Sequence, residues 1–257
     1  MTTLAPARPR RADARPVVGA LVLAAAAWAL TAKRMTGMDA GPGTELGGLG
    51  WFAVTWLVMM AAMMLPALTP MVVAYDRRAR SATGSVAFAA GYLAAWLAAG
   101  LVGFGVFEAV RALDLGFLAW DDGGRYVAAG IVIAAGLYQL TGRKDSFLRR
   151  CRERRTFVAR HWHAGSLGAL RMGLAHGADC VGASWALMAA LFALGAMSLL
   201  WMAVVAVLIA AERLLPEATR WAVALVLVAL GTAVAATPGD VPGLTVPGTP
   251  RMHMQMR

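Results

Sequence analysis

Charged side chains are scarce in this sequence. Only 15% of its 257 residues are Asp, Glu, Lys or Arg, whereas 60% are hydrophobic. A soluble domain carries about a quarter charged residues, so the composition excludes an ordinary water-soluble protein. The apolar residues form long uninterrupted runs, which excludes the alternating pattern of a β-barrel. The sequence therefore predicts an all-α fold, a polytopic transmembrane helix bundle.

Several sequence patterns of catalysis are also absent. The chain has no glycine-rich loop ending in Gly-Lys-Ser/Thr for ATP phosphates, no H-E-x-x-H zinc motif and no G-x-S-x-G nucleophile turn. Its two cysteines, Cys151 and Cys180, are too few and too far apart to predict a disulfide framework. We therefore expect a protein that is not an enzyme and not an ATP-driven pump.

Composition divides the chain into three regions. Residues 1–16 are basic and proline-rich and are predicted to form a disordered cytoplasmic tail. Residues 17–237 are predicted to form the transmembrane domain, with a basic cytoplasmic loop at 142–169, and residues 238–257 a flexible tail containing Met and His. The apolar runs predict seven spans, at about 17–32, 51–75, 86–107, 126–141, 170–194, 197–212 and 221–236.

The distribution of basic residues predicts the orientation of these spans. With the N-terminus inside, 18 of the 24 Lys and Arg residues lie in inner segments, which is a strong positive-inside bias. We therefore expect a multi-pass protein of the bacterial inner membrane with an outer C-terminus. The net charge of +10 has the same explanation, so we expect the lipid bilayer, and no nucleic acid, as its partner.

The second predicted span contains the motif "WLVMMAAMMLPALTP". Its four methionines form two pairs four residues apart, within a helix sector of about 140°. They are Met59, Met60, Met63 and Met64. Thioethers are soft donors that suit Cu(I), but methionines also fill irregular gaps in helix bundles. Pro66 and Pro70 follow at once, and each removes a backbone hydrogen bond, so we expect the helix to kink or open there.

The fifth predicted span contains a second candidate motif, "GLAHGADCVGASWALM". His176 and Cys180 lie four residues apart and share a helix face, and both side chain types bind soft or borderline metals. The alternative is that His176 lies in solvent near the inner surface while the glycines of the motif only pack helices together. Cys180 and the four methionines are predicted at similar depths, so one shared site is geometrically feasible.

Two further groups complete the set of candidates. The C-terminal "RMHMQMR" offers a secondary site for metal capture, or an inert end, with Met252, His253, Met254 and Met256 as its donors. At the end of the sixth predicted span, Glu212 and Arg213 are predicted to form a charge pair with each other.

Three segments of the chain together resemble a bacterial family called domain of unknown function 2182. They are "WLVMMAAMMLPALTPMV", "GLYQLTGRKDSFLRRCR" and the long stretch that begins "RMGLAHGADCVGASWALM". Members of this family are described as predicted metal-binding integral membrane proteins, some of them copper-chaperone-like. The resemblance implies a bound metal, with copper as the expected ion. It matches the family's methionines, prolines, His, Cys, Trp and acidic residue to Met59, Met60, Met63, Met64, Pro66, Pro70, His176, Cys180, Trp185 and Glu212.

The chain also departs from the family pattern. Ala183 and Ser184 stand where the family has a paired cysteine, and Phe147 replaces the first of its two loop cysteines. We therefore expect a membrane copper-binding protein, a chaperone or assembly factor, that uses Met, His and one Cys and serves a membrane or periplasmic copper protein. The alternatives are a metal-free scaffold or subunit of a larger membrane complex, and a small metal permease.

Overall fold

The fold consists of packed helices. The computed structural model describes residues 15–35, 47–113, 120–195, 198–215, 218–242 and 244, and this part of the chain contains nine α-helices and no β-strand. In chain order they are α1 Arg15–Met35, α2 Leu49–Ala79, α3 Ala82–Ala112, α4 Arg125–Tyr138, α5 Gly142–Arg152, α6 Arg154–Arg160, α7 Gly165–Gly195, α8 Leu199–Leu214 and α9 Ala218–Ala236. A short π-helix precedes α4, and a 3₁₀ turn follows α9. The all-α prediction is confirmed.

Five of these helices are long and apolar enough to cross a membrane: α1, α2, α3, α7 and α9. The other two predicted spans correspond to α4, an apolar helix of 14 residues, and α8, of 16 residues. The structure is therefore compatible with a membrane protein, and the number of seven spans and the orientation stay predictions. Residues 1–14 of the predicted tail and the donors of the C-terminal "RMHMQMR" lie outside the described residues.

Helices α2 and α3 form a tight antiparallel hairpin. Arg80 ends α2 in the left-handed conformation, with φ at 48°, and its backbone N–H donates to the carbonyl of Asp76. The Ser81 hydroxyl then accepts a hydrogen bond from the Gly84 N–H, which caps the start of α3. Farther along the hairpin, Trp56 Nε1 donates to the Trp96 carbonyl over 2.8 Å and joins the two helices.

The backbones of α3 and α7 are in direct contact. A Cβ atom at Gly173 would overlap the carbonyl oxygen of Phe88, and one at Gly91 would overlap that of Leu170. At Gly177 it would lie 2.6 Å from the Cβ of Ala95. Small residues at these positions allow the two backbones to touch, as in many membrane helix pairs. The prediction that glycines of the α7 motif pack helices together is confirmed at Gly173 and Gly177.

The basic segment predicted as a loop contains α5 and α6, which pack on the bundle. The Lys144 ammonium donates to the Glu212 carboxylate over 2.5 Å, and these side chains are only 1% and 3% exposed. Burial lowers the pKa of Lys144 below its ordinary value, although the carboxylate of Glu212 acts in the opposite direction. Arg220 of α9 pairs with Asp145 of α5. Together these pairs attach α5 to α8 and α9.

The predicted charge pair between Glu212 and Arg213 is wrong. Adjacent residues on a helix point about 100° apart, so the two side chains reach different neighbours. Glu212 pairs with Lys144, whereas the Arg213 guanidinium donates to Cys180 Sγ and to the Ala67 carbonyl.

Candidate functional site

A cavity of about 800 Å³ lies among α1, α2, α7, α8 and the α5–α6 segment. Sulfur and nitrogen donors reach it from three directions: Met63 and Met71 of α2, Cys151 of α5 and His176 of α7. Arg213 of α8 also lines it. We call this space the soft-donor cavity. Met63 of α2 and His176 of α7 therefore line the same cavity, whereas Cys180 is not among its lining residues. A shared metal site stays a prediction.

Helix α2 forms the proline-containing wall of the soft-donor cavity. Pro66 and Pro70 have no N–H, so the carbonyls of Ala62 and Pro66 lose their helical hydrogen bonds, and all three residues line the cavity. α2 nevertheless continues as one helix of 31 residues through both prolines. The Arg213 guanidinium donates to the carbonyl of Ala67 over 3.3 Å and so joins α8 to this wall, but it does not bond to either carbonyl freed by the prolines.

The four methionines of the α2 motif occupy different environments. All are buried, with exposures between 0% and 4%. Met63 lines the soft-donor cavity. Met59, Met60 and Met64 belong to the hydrophobic core and are not among the cavity-lining residues. The structure thus separates one thioether with access to the cavity from three that pack the bundle.

His176 lies at the buried wall of the cavity formed by α7. Its ring is 1% exposed and is surrounded by the rings of Phe88, Tyr92 and Phe157, with centroid distances of 6.2, 5.8 and 5.2 Å. Its Nδ1 atom is buried and has no hydrogen-bond partner. Buried polar atoms are rarely left unpaired, and the His176 side chain lines the cavity, so this imidazole is a candidate ligand. The alternative prediction of a solvated His176 is wrong.

Cys180 lies one turn after His176 and is fully buried. Its Sγ is 3.0 Å from the Tyr92 hydroxyl and accepts a hydrogen bond from Arg213 Nη2. The second thiol, Cys151, is 8% exposed and lines the soft-donor cavity from α5. Both cysteines are free thiols. Burial, together with the nearby Cys180, raises the pKa of the Cys151 thiol above its usual range.

The remaining sequence candidates lie away from the cavity. Trp185 is half exposed and packs edge-on against Tyr138 over a centroid distance of 5.1 Å. Ser184 is buried in α7. Phe147, in the place of a family cysteine, packs against Gly182. Glu212 belongs to the ion pair with Lys144 described above.

Sequence reasoning missed four residues of the site: Met71, Cys151, Tyr92 and Arg213. Cys151 lies in a basic segment that reads as a surface loop, although its match to the second of the family's two loop cysteines was a signal for it. Tyr92 and Arg213 carry no motif, and their distance from Cys180 along the chain, 88 and 33 residues, hides their contacts with it.

The donor set suits a soft metal ion better than a hard one. In the part of the chain that the structure describes, no three His, Cys, Asp or Glu side chains converge on one point. Thiol, thioether and imidazole donors, which do line the cavity, favour Cu(I) over hard cations. The unpaired Nδ1 of His176 fits this set.

The described part of the chain is thus a bundle of long apolar helices with a cavity that thioether, thiol and imidazole side chains line. The chain belongs to the PpoB2 family, described as copper chaperone, whose family model matches residues 53–236. This match confirms the copper-chaperone-like character of the resemblance, and the other family label given above stays a prediction. A search of curated proteins and a search of solved structures give no significant match.

Proposed function

We propose that this protein is a non-catalytic membrane copper chaperone that carries Cu(I) in the soft-donor cavity. The observation that supports the proposal most is the buried, unpaired Nδ1 of His176 at a cavity that Met63 and Cys151 also line. Membership in a copper chaperone family supports the identity of the cargo. The five long apolar helices support a place in the membrane, which we propose is the bacterial inner membrane.

Within this proposal His176 and Met63 hold the ion together with one thiol at a time: Cys151, which lines the cavity, or Cys180, which does not line it in this structure. Imidazole must be neutral and thiols deprotonated to bind a metal. A chaperone must also release its cargo. A thioether suits this role because it is a soft donor that carries no charge. The copper is cargo, handed to a membrane or periplasmic copper protein, and no chemical reaction of the ion is needed.

Arg213 controls the availability of Cys180. Its guanidinium donates to Cys180 Sγ and to the Ala67 carbonyl, so it holds α8 against both α7 and α2. Its positive charge next to the sulfur occupies the place that a copper ion would take. Copper binding at Cys180 therefore requires the guanidinium to leave the sulfur, and this exchange couples occupancy of the cavity to the contact between α2 and α8.

Anaerobic titration of the purified protein with Cu(I) against a chromophoric competitor tests the proposal. We expect about one Cu(I) per chain in the unmodified protein. Met63→Leu should weaken binding roughly tenfold, the cost of about 1.4 kcal/mol expected for one lost ligand. Met60→Leu is the matched control, because Met60 is equally buried on the same helix and does not line the cavity.

The two variants distinguish copper binding in the soft-donor cavity from unspecific binding to other methionine sulfurs of the chain. Equal effects of Met63→Leu and Met60→Leu would show that copper does not occupy the soft-donor cavity. A protein that takes up no stoichiometric copper would instead favour the metal-free scaffold. Uptake of copper into vesicles that contain the purified protein would favour a permease.

A further inference from the structure

A second cavity, of about 630 Å³, lies at the end of the bundle where α2 ends and α6 begins. Four arginines line it: Arg77 of α2, Arg152 of α5, and Arg154 and Arg155 of α6. Among the described residues that line it, Glu153 is the one acidic side chain. We call this space the arginine cavity, and its wall carries a net positive charge.

The guanidinium groups of this cavity have unused hydrogen-bonding capacity. Arg77, Arg154 and Arg155 form no side-chain hydrogen bond or ion pair with other residues in the described ranges. Arg152 donates through Nη2 to the carbonyls of Glu212 and Leu215, but its Nε is buried without a partner. A buried donor without an acceptor favours an anionic ligand that can supply one.

The rest of the cavity wall is apolar. Val17 of α1 and Pro70, Val73 and Ala74 of α2 complete it, with hydroxyls from Thr69 and Thr156. A free inorganic anion would use only the arginine side of such a cavity. A molecule with a phosphate next to a hydrocarbon part would contact both sides, which is the chemistry of a phospholipid.

We propose that the arginine cavity binds the headgroup of an anionic phospholipid, with its phosphate on the four arginines and its glycerol and upper acyl carbons against Val17 and Val73. Arginine forms paired hydrogen bonds with phosphate oxygens, and basic pockets between membrane helices bind such headgroups. The volume lies within the range of ligand pockets. This inference does not depend on copper binding.

The arginine cavity adjoins the soft-donor cavity. Pro70, Arg152 and Arg154 line both. A bound phosphate would neutralise positive charge at this shared rim, and that charge otherwise repels an approaching copper cation. Lipid composition would thus affect the rate of copper entry, although the lipid site exists without copper.

Native mass spectrometry of the delipidated full-length chain in neutral detergent tests the proposal in the absence of copper. The chain is titrated with phosphatidylglycerol, phosphatidylcholine or inorganic phosphate. We expect one tightly bound phosphatidylglycerol and weak binding of the other two. Replacing Arg77, Arg154 and Arg155 together by Gln should weaken binding roughly a hundredfold, since each arginine near an anionic headgroup changes affinity about fivefold.

A charge-matched control is available on the same chain. Arg143, Arg160 and Arg171 are exposed and do not line the cavity, so their joint replacement by Gln should change the affinity roughly threefold or less through screened, long-range charge. Equal losses in the two triple variants would overturn the proposal, because they would show only general attraction to negative lipid. Inorganic phosphate that binds as tightly as phosphatidylglycerol would also overturn it. Circular dichroism should show that both variants keep the helical fold.

Discussion

Replacing Lys144 by methionine removes one half of an ion pair that is almost completely buried. The Lys144 ammonium and the Glu212 carboxylate are 2.5 Å apart, and the side chains are 1% and 3% exposed. Methionine retains most of the apolar length of lysine, so the change leaves no large cavity. Its main effect is to leave Glu212 buried without its partner.

The expected magnitude follows from the cost of an uncompensated buried charge. Breaking a buried pair on one side costs about 3–5 kcal/mol. Here we expect about 3 kcal/mol, because the positive charges of Arg213 and Arg152 also act on the Glu212 carboxylate. This loss reduces the ratio of folded to unfolded protein roughly a hundredfold.

The double replacement of Lys144 by Met and Glu212 by Leu should behave differently. Burial lowers the pKa of Lys144 even though Glu212 is in contact with it, so the desolvation of the ammonium outweighs its attraction to the carboxylate. A well-packed apolar pair of similar volume often costs nothing. We therefore expect the double variant to be within about 1 kcal/mol of the unmodified protein.

The assay is reversible unfolding in mixed micelles, followed by circular dichroism as the fraction of denaturing detergent increases. Arg150→Gln is the control, because its pair with Asp179 spans 3.3 Å and Arg150 is 62% exposed; such pairs are worth less than about 1 kcal/mol. The reasoning is refuted if Lys144→Met costs no more than this control. It is also refuted if the double variant loses as much stability as the two single variants combined.

Two further predictions concern the helix contact and the cavity thiol. Gly173→Val should destabilise the fold by at least about 2 kcal/mol, because its side chain would meet the Phe88 carbonyl. Gly103→Val is the control, because this α3 position has open space around it, and it should cost much less in the same unfolding assay. Similar losses in the two variants would contradict the close backbone contact between α3 and α7. Cys151 should react with maleimide far more slowly in the folded protein than in the denatured chain near pH 7, because burial raises the pKa of its thiol and the thiolate is the reactive form. The labelling rate should still increase up to about pH 9, and a plateau near neutral pH, measured in a Cys180→Ser background, would contradict this expectation.

The apolar helices could be predicted from the sequence, because an uninterrupted hydrophobic run has few alternatives to a helix in a bundle. The apolar runs do not mark the limits of α2 and α7. Both helices extend several residues beyond their apolar runs, since Arg80 and Gly165 with positive φ mark where the chain turns. The packing of α5 was not predictable, because a basic segment of 11 residues gives no sign that Lys144 and Cys151 are buried.

For the site too, the local sequence pattern predicted which residues group together but not how neighbouring helices place them. Helical periodicity correctly grouped the four methionines of α2, and all four are buried. It could not separate Met63 from the others, because the position of a cavity depends on where neighbouring helices diverge. The role of Arg213 was hidden for a related reason, since its partners Ala67 and Cys180 belong to two other helices.

The glycine contact between α3 and α7 has a mechanical consequence for the proposed cargo uptake. Because the two backbones touch at Gly173 and Gly177, a movement of either helix toward the other would bring backbone atoms into overlap. We therefore expect Tyr92 of α3 to keep its position relative to His176 and Cys180 of α7. α2 lacks two backbone hydrogen bonds at its prolines and is held near the cavity by Arg213. An ion that enters or leaves would bend the compliant α2 wall and leave the α3–α7 wall fixed, so that the histidine and the thiol keep their spacing while the thioether of Met63 approaches or withdraws.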